Sequence, residues 1–120
     1  MAAAKMRDPA REDEWIADML RNIALIRSIA GPRRLDDFLV DDVAQKAVKM
    51  CLIEISEAAG RLTLDLQQRH PMLPWRAIED LRNAYTHAYH DINPRLMWQT
   101  ATVSLTALEA ALMEEQEKQA

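Results

Sequence analysis

The chain contains little glycine, little cysteine and few aromatic residues. Of its 120 residues two are glycine and one is cysteine, and Phe, Trp and Tyr together make up 5%. So little glycine, in a chain rich in Ala, Leu, Glu and Arg, favours helix throughout. The single cysteine, Cys51, excludes an intramolecular disulfide and is typical of a reducing cytoplasm. It lies in an apolar helical pattern, so we expect it to be a packing residue.

Long apolar segments are also absent. No apolar run approaches the length that spans a membrane, and the first residues, "MAAAKMRDPAREDE", lack the apolar core of a signal peptide. We therefore expect a cytoplasmic protein without a membrane segment. The length suits one domain over residues 1–120, with residues 1–10 and 114–120 expected to be frayed.

Positive charge is in the minority, which limits the ways in which this chain could bind nucleic acid. Fifteen Lys and Arg residues stand against nineteen Asp and Glu, so the net charge is −4. A protein that coats nucleic acid non-specifically needs a broad basic surface. The charges are unevenly distributed, however, because residues 61–95 contain five arginines and four acids. A local phosphate site is therefore still permitted.

A repeating pattern of apolar residues predicts a first helix over residues 12–30, which Gly31 and Pro32 end. The segment "RRLDDFL" (residues 33–39) predicts one short helical turn, for which Asp36 is the expected N-cap. The apolar face of the first helix consists of residues three or four apart: Trp15, Met19, Ile23 and Ile26.

A second long helix is predicted to start near Asp41 and to end before His70. Its apolar residues keep helical spacing across Gly60, so we expect one continuous helix with at most a bend at the glycine. The members of this series are Val43, Ala47, Cys51, Ile55, Ala58, Leu62 and Leu66.

The segment "HPMLP" (residues 70–74) predicts a break, because a proline disfavours helix in the residue before it. Pro74 then starts a third helix that reaches residue 89. Asn93 as N-cap and Pro94 as first helical residue start the last helix. With no internal repeat and no strand-like alternation, the predicted fold is all-α: an antiparallel bundle of four main helices plus a short helical turn.

The third helix contains an unusual run of polar and aromatic residues, "RNAYTHAY" (residues 82–89). At about 100° per residue, Arg82 shares a ridge with Tyr89, whereas His87 points about 140° away from Arg82. The two side chains could still act together in either of two geometries. The helix could end somewhere from Thr86 to Tyr89 and turn His87 back, or a second copy of the chain could face the first across a two-fold axis.

This run resembles the Arg-x4-His-x-Tyr signature of the HEPN superfamily, and more closely the HepT family of ribonuclease toxins in HepT/MntA toxin–antitoxin pairs. The resemblance extends over residues 38–98. "FLVDDVAQKAVKMCLIEISEAAGRL" is similar to the long helix of that family, and "HPMLPWRAIEDLRNAYTHAYHDINPRLMW" to its Pro-Trp, Arg-Asn, His and Tyr segment. It implies a HEPN-like helical fold.

The resemblance also implies a function. The chain would be a metal-independent endoribonuclease toxin that acts as a homodimer and cleaves RNA by attack of a ribose 2′-hydroxyl. Arg82 would bind the scissile phosphate and His87 would transfer protons, with Asn83 and Glu57 in support. A MntA-like nucleotidyltransferase antitoxin would silence the toxin by transferring AMP to Tyr89. The resemblance implies no cofactor and no metal.

Three positions depart from the family pattern: Ser56 and Gly60 flank "EAA" where the family has glycine and a basic residue, and Ala88 replaces a glycine. The motif residues also admit structural roles, such as an ion pair between Arg82 and Glu57 or Glu79. The alternative function is a non-catalytic accessory or substrate-binding subunit of a minimal nucleotidyltransferase. A purely structural helical dimer is a third possibility.

Other residues in this part of the chain could also take part in chemistry. Three aromatic residues could stack an RNA base, although we expect them to pack in the core or at an interface: Trp75, Tyr85 and Trp98. His87, His90 and Asp91 supply too few ligands for a zinc or di-iron site, which needs residues from several helices. We therefore expect no metal.

Overall fold

The computed structural model describes residues 7–87 and 93–119, without the side chain of His87. Its described residues form helices joined by short turns, and no β-strand occurs among them, which confirms the all-α prediction. In this part of the chain a 3₁₀ turn (Pro9–Arg11) precedes seven α-helices: α1 (Glu12–Ala30), α2 (Leu35–Leu39), α3 (Asp42–Ala59), α4 (Leu64–Arg69), α5 (Trp75–His87), α6 (Pro94–Gln99) and α7 (Leu105–Gln119).

Helix α1 has the predicted limits and supplies one side of the core. Three acids in its first turn complement the helix dipole, and the N–H of Gly31 donates to the carbonyl of Arg27 at its end. Four apolar side chains of α1 have no exposed surface: Ile16, Met19, Ile23 and Ile26. This face packs against α3 and α7, and α3 also packs against α5.

The short helical turn is present as α2, but its predicted cap is wrong. Arg34 occupies the N-cap position, and its backbone N–H donates to the carboxylate of Asp37 at 3.3 Å. Asp36 cannot be the N-cap because α2 already begins at Leu35, which makes Asp36 its second residue. The following Phe38 is fully buried and contacts Trp98, with ring centroids 5.2 Å apart.

The prediction of one continuous helix across Gly60 is also wrong. Helix α3 starts where it was predicted to, directly after Asp41, but it ends at Ala59. Asp41 is its N-cap, and the Asp41 carboxylate accepts from the N–H of Ala44. A turn follows, and the hydroxyl of Thr63 then accepts from the N–H of Leu66 and starts α4. The apolar spacing hides this break because both Leu62 and Leu66 are buried.

The last helical segment starts as predicted. Asn93 accepts from the N–H of Arg95, and Pro94 is the first helical residue. A π-helical stretch (Thr100–Ser104) joins α6 to α7, which continues to Gln119. Within the described part of the chain, every helix is too short or too polar to span a lipid bilayer.

Candidate functional site

Arg82 lies on α5 at the edge that faces α3, and its side chain is 45% exposed. Its Nε forms an ion pair with Oε1 of Glu57 on α3. Of the two acids considered as partners in the sequence, the structure therefore selects Glu57. A guanidinium has five N–H donors in a planar fork, so one contact through Nε is compatible with a second anion.

Glu79, the other acid considered, is used elsewhere. Its carboxylate accepts from the guanidinium of Arg7 at 3.2 Å and from the side-chain amide of Gln67 at 3.0 Å. Arg7 also donates to the carbonyl of Leu62 at 2.7 Å. These contacts connect the first half of α5 to three other parts of the chain: the N-terminal segment, the turn that follows α3, and helix α4.

A buried serine brings α3 and α5 together beside Arg82. Ser56 has no exposed surface, and its hydroxyl donates to the carbonyl of Glu79 at 2.8 Å. The same hydroxyl accepts from the backbone N–H of Arg82 at 3.1 Å. The sequence shows Ser56 only as a departure from a glycine. Its partner lies 26 residues away, so no local pattern could have indicated this contact.

The remaining predicted site residues lie along or beyond the second half of α5. Asn83 is exposed. The side chain of His87 and all of Tyr89 lie outside the described residues, so their placement stays a prediction. The α5 backbone is helical through His87. A helix end before that residue is therefore not observed, and positions 82 and 87 remain about 140° apart around the α5 axis.

The three aromatic residues that could have stacked RNA bases are packing residues, as expected. Trp75 and Tyr85 are each 8% exposed, and Trp98 is partly buried against the core. The indole N–H of Trp75 donates to the carbonyls of Gln67 and His70, both at 3.0 Å. Burial raises the pKa of the Tyr85 hydroxyl, because the charged phenolate is disfavoured away from water.

The described residues contain no group of three or more His, Cys, Asp and Glu side chains placed to hold a metal ion. The His90–Asp91 pair considered above lies outside them. Cys51 is buried, as predicted for a packing residue, and burial raises the pKa of its thiol. A thiol in this state is a poor nucleophile.

Comparison with known proteins gives one consistent family. The family described as Ribonuclease HepT-like matches residues 19–115. A protein named probable ribonuclease HepT, from Thermococcus cleftensis, is 30% identical over 80% of this chain and 87% of its own length. A candidate RNase of Methanocaldococcus jannaschii is 33% identical over 70% of this chain and 69% of its own length.

A candidate RNase of Caldanaerobacter subterraneus is also similar, at 30% identity over 66% of this chain and 70% of its own length. No solved structure matches the chain significantly.

Proposed function

Because the chain belongs to the HepT-like ribonuclease family, we propose that it is a metal-independent endoribonuclease toxin of the HEPN type. The observation that carries the proposal is the half-exposed guanidinium of Arg82, held through its Nε by Glu57. The toxin would act in the cytoplasm, where its RNA substrate is available.

Arg82 is proposed to bind the phosphate whose ester bond is broken. Donors that are already oriented toward developing negative charge stabilise a transition state without reorganising during the reaction. Glu57 supplies that orientation by holding the Nε of Arg82, and the exposed position of the side chain leaves room for an RNA phosphate. Asn83, exposed beside it, is proposed to donate a further hydrogen bond to the same phosphate.

His87 is proposed to transfer the protons. The ribose 2′-oxygen attacks the adjacent phosphorus and loses its proton, and the bond from phosphorus to the 5′-oxygen of the next nucleotide breaks. That oxygen takes up a proton, so the products are a 2′,3′-cyclic phosphate and a 5′-hydroxyl. An imidazole titrates near neutral pH and can therefore accept and return a proton without a metal.

The proposed active form is a homodimer in which Arg82 and His87 of different copies meet. The support is the backbone of α5, which is helical through His87. Two positions about 140° apart on one helix do not face the same atom, whereas two copies related by a two-fold axis bring them together.

The proposed antitoxin is a MntA-like nucleotidyltransferase that uses ATP to modify Tyr89. The phenol oxygen attacks the α-phosphorus of ATP, the bond to pyrophosphate breaks, and the phenol proton is released. Tyr89 follows Arg82 by seven residues in the sequence, a spacing that would put both side chains on one ridge if the helix continued that far. The added AMP would bring a negative charge and a bulky group close to the guanidinium that binds RNA.

RNA cleavage in EDTA tests the nuclease proposal. Arg82→Ala and His87→Ala are each expected to lower kcat by roughly 10²- to 10³-fold, as when a transition-state donor or a general base is removed. Glu57→Gln should lose less, since an amide oxygen can still accept from Nε. The matched control is Arg76→Ala, an exposed arginine on the same helix.

Growth after induction gives a second measurement with the same variants. Wild type and Arg76→Ala should arrest growth, whereas Arg82→Ala and His87→Ala should not. Equal cleavage and equal toxicity of all variants would refute the nuclease. Binding of a nucleotidyltransferase or nucleotide without any cleavage would instead support the accessory-subunit alternative.

Intact-mass measurement tests the modification. Incubation with the partner enzyme and ATP should raise the mass of the chain in steps of one AMP, and Tyr89→Phe should abolish the increase. Tyr85→Phe is the matched control, because Tyr85 is buried and should not be an acceptor. An unchanged mass increase in Tyr89→Phe would exclude this acceptor.

A further inference from the structure

Ser56 is the buried polar residue closest in the fold to the proposed phosphate-binding arginine. Its hydroxyl lies between α3 and α5 with no exposed surface. A buried hydroxyl is costly unless it is hydrogen-bonded. This one donates to the carbonyl of Glu79 at 2.8 Å and accepts from the N–H of Arg82 at 3.1 Å, so it uses both functions on α5.

The two α5 groups lie three residues apart, which is close to one helical turn. The Ser56 hydroxyl of α3 therefore bonds to two backbone groups within one turn of α5, and the second of them is the N–H of Arg82. A shift of α5 by one residue moves each backbone group by about 1.5 Å along the axis and about 100° around it. Such a shift would separate the hydroxyl from both of its partners.

The next residue on α3 holds the side chain of the same arginine. Glu57 forms the ion pair with Nε of Arg82, while Ser56 holds its backbone N–H. Consecutive helical residues point about 100° apart, so the buried face of α3 reaches the α5 backbone while its edge reaches the guanidinium. Arg82 is thus held by α3 at two points, one on the main chain and one on the side chain.

The same turn of α5 is also held through the Glu79 carboxylate, which accepts from Gln67 and Arg7. Those contacts fix Glu79 from the direction of α4 and the N-terminal segment. The Ser56 hydroxyl links the two residues, because it bonds both to the carbonyl of Glu79 and to the N–H of Arg82. Its removal would therefore loosen the backbone at Arg82 while the rest of the turn stays in place.

We propose that Ser56 is a positioning residue for Arg82, whose backbone it holds at the depth and rotation that present the guanidinium to an RNA phosphate. This inference rests on the proposed function, because it assigns Ser56 a role in the same reaction. It also gives a meaning to the departure from glycine, since a glycine could not supply the hydroxyl. Ser56 does not touch the substrate, and it acts through Arg82.

The test compares Ser56→Ala with Ser56→Thr, which keeps a hydroxyl, under conditions in which circular dichroism shows each variant folded. Ser56→Ala is expected to lower kcat by about tenfold to a hundredfold with little change in KM, because a displacement of about 1 Å costs roughly 10²-fold. Ser56→Thr should recover most of that loss. Ser28→Ala is the matched control, because this exposed hydroxyl bonds only to the carbonyl of Leu25 on its own helix among the described groups.

Two further measurements separate positioning from a general loss of stability. Amide hydrogen exchange at Arg82 should be severalfold faster in Ser56→Ala and unchanged in Ser28→Ala. If Ser56 acts through Arg82, Ser56→Ala should not lower the residual activity of Arg82→Ala any further. Equal losses in both backgrounds, or wild-type kcat in Ser56→Ala, would overturn the proposal.

The two proposals can fail separately. Full cleavage by Arg82→Ala would overturn the proposed function and, with it, the role of Ser56. Cleavage that is lost in Arg82→Ala but retained in Ser56→Ala would overturn the Ser56 proposal alone.

Discussion

Glu115 of α7 is a carboxylate with only 3% of its side chain exposed, held by three basic residues. Arg69 donates to both of its oxygens, at 2.7 Å and 3.2 Å, and the Nε2 of His70 lies 2.7 Å from Oε2. Lys118 is 3.4 Å away. The hydrogen bonds from Arg69 are the main cause that lowers the pKa of Glu115 from 4.5 to about 2, and burial opposes them.

This pKa predicts a pH dependence of stability. The native state favours charged Glu115 more strongly than the unfolded state does, so its contribution is complete above pH 4.5 and is lost as the pH falls toward about 2. Thermal unfolding followed between about pH 5 and about pH 2.5 should show a smaller loss of Tm in Glu115→Gln than in wild type. At neutral pH the variant should be less stable by roughly 1.5–3 kcal/mol.

Glu114→Gln is the matched control for this prediction. Its side chain is 60% exposed and lies 3.8 Å from Lys118, so we expect it to keep the pH dependence of wild type. If Glu115→Gln and wild type lose Tm in parallel, Glu115 does not carry the effect.

At the scale of single elements, α3, α4 and α6 each begin at an N-cap side chain that accepts from a free backbone N–H, and α4 illustrates how that signal can be missed. Apolar spacing continues from α3 into α4, which made one long helix the natural prediction. The hydroxyl of Thr63 nevertheless caps the start of a new helix. The backbone N–H of Thr63 in addition donates to the carboxylate of Glu12. That second contact comes from α1, so the local sequence does not contain it.

The cap at Thr63 predicts a measurable loss of stability. Thr63→Ala removes the acceptor for the Leu66 N–H and should lower the free energy of unfolding by about 1 kcal/mol, whereas Thr63→Ser should restore most of it. Urea unfolding with an unchanged m-value is the measurement. Thr106→Ala, on the exposed side of α7, should change little. A loss no larger than this control's would show that the hydroxyl does not stabilise α4.

At the scale of the whole molecule, α3 packs against α5 within a single chain. Positions 82 and 87 nevertheless lie on different faces of α5. The core accounts for the first arrangement, since α3 packs against both α1 and α5. The second follows from a backbone that stays helical through His87. This arrangement is the reason that we propose a site completed by a second copy of the chain.

Mixing two inactive variants tests this shared site. If Arg82 of one copy works with His87 of the other, a dimer of Arg82→Ala and His87→Ala chains contains one intact site. Random mixing should then restore roughly a quarter of wild-type cleavage, because about half of the dimers are mixed and each has one of two sites. Each variant alone should stay inactive. No recovery in mixed dimers, verified by differently tagged copies, would place each site within one chain.

The sequence by itself determined the helical class, the limits of α1, the start of α3 near Asp41, the cap at Asn93, and the residue types of the candidate site. These properties depend on interactions between residues close along the chain: helical periodicity, capping, and the spacing of Arg82 and His87. Membership of the HepT-like ribonuclease family is likewise recognised from the amino-acid sequence alone. None of these requires knowledge of which helices touch.

Only the tertiary structure decided the partner of Arg82, the contacts of Ser56, the break before Thr63 and the burial of Glu115. Each depends on residues that are distant along the chain and meet because α3 packs against α1 and α5, or because α4 lies near α7. The energy of a buried hydroxyl or carboxylate is set by what surrounds it, and a linear pattern does not contain those surroundings.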